Sequence, residues 1–187
     1  TPIEETLRAL DDLVRQGKVR YIGCSNLPAW QVVQAQWTAQ SQHLAPFVSC
    51  QDEYNIIARD AERELLPAMQ AHGLGLLPYY PLASGLLTGK YKAGEPAPAG
   101  TRMAREKMHS DRYFTPQHLA TMEKLRGFAT ERGRSLLELA FGWIAARPTV
   151  ASVIAGATKP EQVEANAKAV DWKLTGADMA AIDALVR

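Results

Sequence analysis

Leu74-Gly75-Leu76-Leu77-Pro78-Tyr79 is the stretch on which the fold turns. It is short and almost wholly apolar, it follows Gly73, and it runs into Tyr80-Pro81. Such a run suits a strand buried on both faces, as in a parallel sheet covered by helices. Upstream, Val19 to Cys24 and Phe47 to Cys50 read as two more strands. The three strands start near residues 19, 47 and 75, about 28 residues apart, which is the repeat of a strand followed by a short helix. Thr1 to Gln16 predicts a helix, with Thr1 as its cap, Pro2 in the first turn and Glu4 completing a capping box. Ile3, Leu7, Leu10 and Val14 give it one apolar face. Pro28 opens a second helix carrying Trp30, Val33 and Trp37, and Arg59 to His72 predicts a third, stopped by Gly73.

Beyond Tyr79 the regularity stops. Tyr80 to Thr115 is rich in proline and glycine and reads as a long excursion, a feature that is usually functional or mobile. Helices are predicted from Pro116 to about Arg132, and from the capping box Ser135-Leu136-Leu137-Glu138 to about Ala146. Val150 to Ile154 reads as a fourth strand. Thr158-Lys159-Pro160-Glu161 and Thr175-Gly176-Ala177-Asp178 open the last two helices. Four strand–helix units preceded by a lone helix are what a cut after strand four of an eight-stranded parallel barrel leaves. The expected fold is therefore α/β, the C-terminal half of a (β/α)8 TIM barrel, with four parallel strands and outer helices. Residues 1–187 are expected to form one partial domain, and a chain that starts without Met is expected to begin inside a longer gene product. A small doubly wound domain is the alternative. It would usually place a phosphate loop after its first strand, and none is visible. Gly73 and Gly75 precede a strand instead of opening a helix, so they are no dinucleotide fingerprint.

Composition narrows the partners. The 187 residues are 47 % hydrophobic and 22 % charged, with a net charge of +1 and no block of like charge, so no nucleic-acid or membrane partner is expected. No apolar run reaches membrane-spanning length, and a cytoplasmic setting is expected. Cys24 and Cys50 each sit in an apolar run, and the preferred reading is two buried, reduced thiols in strands. A disulfide or a reactive thiol is the alternative. His43, His72, His109 and His118 show no metal-ligand spacing and read as solvated or packing residues. Asp52 and Glu53 are adjacent on an extended segment, so they point apart and make a poor acid/base pair.

In parallel α/β barrels the functional groups sit at the C-terminal ends of the strands. Here those ends are polar: Ser25-Asn26, Gln51-Asp52-Glu53-Tyr54-Asn55, Tyr79-Tyr80-Pro81 and Gly156-Ala157-Thr158-Lys159. The same segments carry a resemblance. Gly17-Lys18-Val19-Arg20-Tyr21-Ile22-Gly23-Cys24-Ser25-Asn26 resembles the "GKxRxxGxSN" segment of aldo-keto reductases, and Gln51 to Asn55 resembles their "QxxYN". Tyr80-Pro81-Leu82-Ala83-Ser84-Gly85-Leu86-Leu87-Thr88-Gly89-Lys90-Tyr91 is similar to their "SPLAxGLLTGKY" loop. Gly156 to Gln162, followed by Asn166, resembles their "GxxxxxQxxEN" end.

The resemblance implies NADP(H) as cofactor and assigns contacts. Tyr79 would stack on the nicotinamide, while Ser25, Asn26 and Gln51 would hold its carboxamide, which needs both donors and acceptors. Tyr80, Pro81, Leu82, Ala83, Ser84 and Gly85 form the loop expected over the pyrophosphate, with Lys90 as its cation and Arg102 as a weaker candidate. Gly156, Thr158 and Lys159 are expected at the adenosine 2′-phosphate, beside a helix N-terminus. Gln162 and Asn166 would contact the adenosine from one helix face. One departure stands out: the family commonly has Glu before that Asn, and here the residue is Ala165.

The family's proton-donating tyrosine and its supporting lysine, aspartate and histidine belong to strands with no counterpart here. No residue of this chain inherits a catalytic role. The resemblance implies a complete oxidoreductase that reduces a small carbonyl substrate with NADPH. The alternatives are a cofactor-binding regulatory subunit like the channel-associated β subunits, or a stand-alone half-barrel interaction module. Uncovered strand edges, and inward faces among Val19, Ile22, Val48, Leu76 and Val153, predict self-association.

Overall fold

The computed structural model describes residues 1–186. Their contacts define two compact units. One comprises Thr1–Glu53, Arg59–Tyr79 and Thr149–Ser152; the other comprises Tyr54–Ala58, Tyr80–Pro148 and the residues from Val153 onward.

The first unit holds α1 (Ile3–Arg15), β1 (Ile22–Ser25), α2 (Ala29–Gln42), β2 (Phe47–Gln51), α3 (Leu65–Ala71) and β3 (Gly75–Leu76). The strands form an open parallel sheet in the order β1-β2-β3. Cys24 lies opposite Cys50, and Ser25 opposite Gln51. Parallel strands need a crossover between them, and α2 and α3 supply it.

Among the described residues the expected fourth strand is reduced to a single parallel bridge, between Val150 and Leu76. Leu76 N–H donates to Thr149 O at 2.7 Å, and Ala151 N–H donates to Leu76 O at 2.9 Å. The next donor that a longer ladder needs is the N–H of residue 78, and Pro78 has none. The segment therefore pairs with β3 through Thr149, Val150 and Ala151 and goes no further.

Other expectations are corrected: β1 begins at Ile22 and not at Val19, and β3 spans only Gly75–Leu76 of the run to Tyr79. Helix α1 begins at Ile3, so Pro2 takes the cap position, no side-chain capping bond forms, and Glu4 pairs instead with Arg8 at 2.9 Å. The predicted helix from Arg59 to His72 is broken into a 3₁₀ turn at Asp60–Glu62 and α3. Pro67 is tolerated in the first turn of α3, where its missing N–H has no partner to lose. On α2 the Trp30/Val33/Trp37 stripe is the exposed side, and Val32, Ala35, Gln36, Thr38 and Ala39 are buried. The buried amide of Gln36 serves the backbone of Phe47: Nε2 donates to its carbonyl at 3.1 Å, and Oε1 accepts from its N–H at 3.0 Å. Of the inward residues expected to be uncovered, Ile22 and Leu76 are buried, Val153 is half-buried, and Val19 and Val48 are exposed.

In the second unit, Ala83–Thr88 forms tight 3₁₀ turns with a kink at Ser84 and Gly85. Among the described residues six helices follow: α4 (Arg102–Arg105), α5 (Lys107–Tyr113), α6 (Pro116–Thr130), α7 (Leu136–Ala145), α8 (Pro160–Ala169) and α9 (Gly176–Val186). The Ser135/Glu138 capping box forms as expected. The one expected at Thr158/Glu161 does not: Lys159 is the cap, so the third helical residue is Gln162, whose Oε1 accepts from Thr158 N–H at 2.7 Å. Helix α7 is the core element. Trp143 is fully buried, with its ring 5.1 Å from that of Tyr54. Gly142 lies so close to the chain that an added Cβ would meet Trp172 O at 2.7 Å. No helix among the described residues is long and apolar enough to cross a membrane.

Candidate functional site

The first unit gathers four of the expected residues. Ser25 and Gln51 end neighbouring strands, and Asn26 follows in a left-handed conformation, φ 57°, which asparagine tolerates better than most residues. Tyr79 Oη donates to Asn26 Oδ1 at 2.7 Å, Asn26 Nδ2 donates to Ser25 Oγ at 2.9 Å, and Ser25 Oγ donates to Gln51 O at 2.7 Å. This continuous chain fixes the Tyr79 ring through its hydroxyl. Gln51 is exposed at the end of its strand. Asp52 is buried, and the backbone N–H of Asn26 donates to its carboxylate; burial pushes the carboxyl up and that hydrogen bond opposes the shift.

Behind these groups the two cysteines are free. Cys50 is buried and Cys24 only half-buried, so the expectation of two buried thiols holds for Cys50 alone.

In the second unit the loop after Tyr79 is held in unusual backbone. Tyr80, Ala83 and Ser84 have φ of 51°, 48° and 56°, and Gly85 has 100°. Such values are rare outside glycine and need support from their surroundings. Asn55 supplies part of it: Nδ2 donates to Tyr80 O at 3.0 Å, while Oδ1 accepts from the N–H groups of Ile57 and Ala58. His109 supplies more. Its Nδ1 lies 2.8 Å from Ser84 Oγ, its Nε2 lies 3.1 Å from Glu106 Oε2, and its ring stands edge-on to Tyr80. Pro81, Ala83 and Ser84 are buried, and Leu82 is half-buried. Ala83 N–H donates to Tyr80 O at 2.9 Å and Gly85 N–H to Leu82 O at 2.8 Å. Two amides of the expected anion cradle are therefore already engaged. Lys90 is exposed, and its Nζ would lie 3.3 Å from a Cβ on Gly85. Arg102 faces Glu106 at 3.9 Å.

At the head of α8 an open hollow is lined by Ala157, Thr158, Lys159, Pro160, Val163 and Glu164. Gly156 is exposed beside it. Gln162 turns back onto Thr158, and Asn166 is half-buried; neither lines the hollow. No cluster of three metal-ligating side chains occurs among the described residues.

Sequence reasoning missed Asn55 as a support, although it closes the quoted "QxxYN" match. It also missed the Ser84–His109–Glu106 contact, for which no local signal exists.

An open parallel sheet with helical crossovers and polar strand ends places the chain in the α/β class. Comparison with known proteins names the class more closely: the aldo/keto reductase family profile matches residues 1–187, and the chain belongs to that family. It is 41 % identical over 174 residues to a probable voltage-gated potassium channel subunit beta of Arabidopsis thaliana, covering 91 % of this chain and 53 % of that protein. It is 36 % identical over 174 residues to the uncharacterized oxidoreductase YrpG of Bacillus subtilis, covering 93 % of this chain and 51 % of that protein. It is 34 % identical over 176 residues to the L-glyceraldehyde 3-phosphate reductase of Escherichia coli K12, covering 91 % and 50 %. The chain thus spans about half the length of the curated relatives it matches.

Proposed function

We propose that this chain is the NADP(H)-binding half of an aldo-keto reductase barrel, and that the complete protein reduces aldehydes or ketones to alcohols. The observation that carries the reading is the Tyr79–Asn26–Ser25–Gln51 hydrogen-bond chain at the C-terminal ends of parallel strands. The donor set fits a nicotinamide carboxamide. Asn26 Nδ2 has a second hydrogen, Ser25 Oγ and Asn26 Oδ1 have further lone pairs, and the Gln51 amide offers both kinds of group. The half-buried Tyr79 ring offers a flat surface. Lys90 and the loop from Tyr80 to Gly85 would take the pyrophosphate, and Thr158 and Lys159 the 2′-phosphate.

Bound there, the reduced nicotinamide supplies the hydride. The chain's own residues orient the ring and neutralise the phosphates, and none of them is assigned the proton donor. Fluorescence titration of the complete protein with NADPH and NADH tests the reading. NADPH should bind more tightly than NADH, and Lys159→Ala should erase the difference; failure of both cofactors to bind refutes it. The 187 residues expressed alone should self-associate through the open sheet and show no carbonyl reduction. A monodisperse monomer with the turnover of an intact enzyme would overturn that.

The 41 % identity to a channel β subunit favours a second reading, a cofactor-binding regulatory subunit. Oxidation of bound NADPH by aldehydes in the complete protein separates the two.

A further inference from the structure

Cys24 and Cys50 are the two cysteines of the chain, and they face each other across β1 and β2 with their sulfurs 3.4 Å apart. Adjacent strands lie about 4.7–4.9 Å apart, inside the roughly 4.4–6.8 Å Cα separation that a disulfide accepts. Closing 3.4 Å to a bond of about 2.05 Å is a matter of side-chain rotation. Along a strand successive side chains alternate in face, so the pair lies on the opposite face from Ser25 and Gln51. The two thiols are unequal. Cys24 is half-buried and Cys50 fully buried. The hydrogen bond from Cys50 holds the Cys24 thiol below its ordinary value, while that bond and burial push Cys50 up. Asp52 is the other titratable group acting on the pair, and its charge opposes thiolate formation at both.

We propose that Cys24 and Cys50 form a reversible disulfide when the protein meets a peroxide, with Cys24 as the attacking thiol and Cys50 as the resolving one. The Cys24 sulfur attacks hydrogen peroxide, an S–O bond forms as the O–O bond breaks, and water leaves. The Cys50 sulfur then attacks the Cys24 sulfur. An S–S bond forms, the S–O bond breaks, and the hydroxyl departs with the Cys50 proton as a second water. The thiols are oxidised by two electrons and the peroxide is reduced to two waters. The reaction needs no cofactor, so its test is separate from NADPH binding.

Trypsin releases both cysteines on one fragment, Tyr21 to Arg59. After brief peroxide treatment and alkylation, that fragment should carry no alkyl group and be lighter by two hydrogen atoms; dithiothreitol should restore two alkylatable thiols. Closure should be about tenfold faster or more in the native chain than in guanidinium, because the fold holds the sulfurs together. In Cys50→Ser, dimedone should trap a sulfenic acid on Cys24. Two alkylatable thiols remaining after equal peroxide has oxidised glutathione would overturn the proposal. So would closure as fast in the unfolded chain, or cross-links only between chains. The native-versus-unfolded comparison uses the wild-type chain, so a variant that fails to fold does not blunt the test.

Discussion

Replacing Tyr79 by phenylalanine and by alanine separates two contributions that the proposed cofactor site asks of one side chain. The hydroxyl donates to Asn26 Oδ1 at 2.7 Å, and Asn26 in turn donates to Ser25 Oγ at 2.9 Å. Tyr79→Phe deletes one hydrogen bond and leaves the ring. A net hydrogen bond contributes about 0.5–1.5 kcal/mol, which corresponds to a rise in the NADPH dissociation constant of about two- to twelvefold. Tyr79→Ala also removes the flat apolar surface, and the combined loss is about 1–3 kcal/mol, or roughly 5- to 150-fold. Titration of NADPH fluorescence against the complete protein carrying each substitution and against its wild type, at one ionic strength, reads both numbers. The ordering wild type, Phe, Ala in weakening affinity is the expected result. Equal dissociation constants for all three would mean that Tyr79 packs the strand end without touching the cofactor. A Phe variant as weak as the Ala variant would mean that the hydrogen-bond chain, and not stacking, carries the affinity.

Three further outcomes follow from other contacts. Gly142→Ala places a Cβ 2.7 Å from the backbone oxygen of Trp172, so urea unfolding should show a loss of about 1–3 kcal/mol with an unchanged denaturant slope; an unchanged midpoint would refute the close approach. Gly85→Ala puts a side chain at φ 100° and 3.3 Å from Lys90 Nζ, and should weaken NADPH binding by about tenfold in the same titration. The Asp178 carboxyl is held below its ordinary value by the Thr175 hydroxyl and N–H and by Arg132. A carboxyl depressed in the folded state stabilises above its unfolded value, and that contribution is lost as pH falls through the folded one. Asp178→Asn should therefore lower stability at neutral pH and flatten the acid limb of a stability–pH curve; an acid limb as steep as the wild type's would sink the assignment.

The legible parts of this chain are those whose physics is local. The starts of β2 and β3, the Ser135/Glu138 box and the polar strand ends can be read within a few residues. Helix starts slip by one wherever a threonine precedes the true cap, as at Thr1 and Thr158, because the cap is chosen by backbone geometry and not by the better hydrogen-bonding side chain. The buried face of α2 is illegible because Gln36 is buried by its bonds to Phe47, a partner that periodicity does not reveal. The contact of His109 with Ser84 crosses 25 residues of irregular chain and leaves no pattern at all. Pro78 joins the two cases. Lacking an N–H, it stops the ladder toward Val150, which the apolar run alone does not announce. One residue later, Tyr79 N–H still donates to Asp52 O at 3.0 Å, so the chain stays in register with β2. The same proline that ends the sheet on one side thus leaves Tyr79 anchored on the other, where its hydroxyl reaches Asn26.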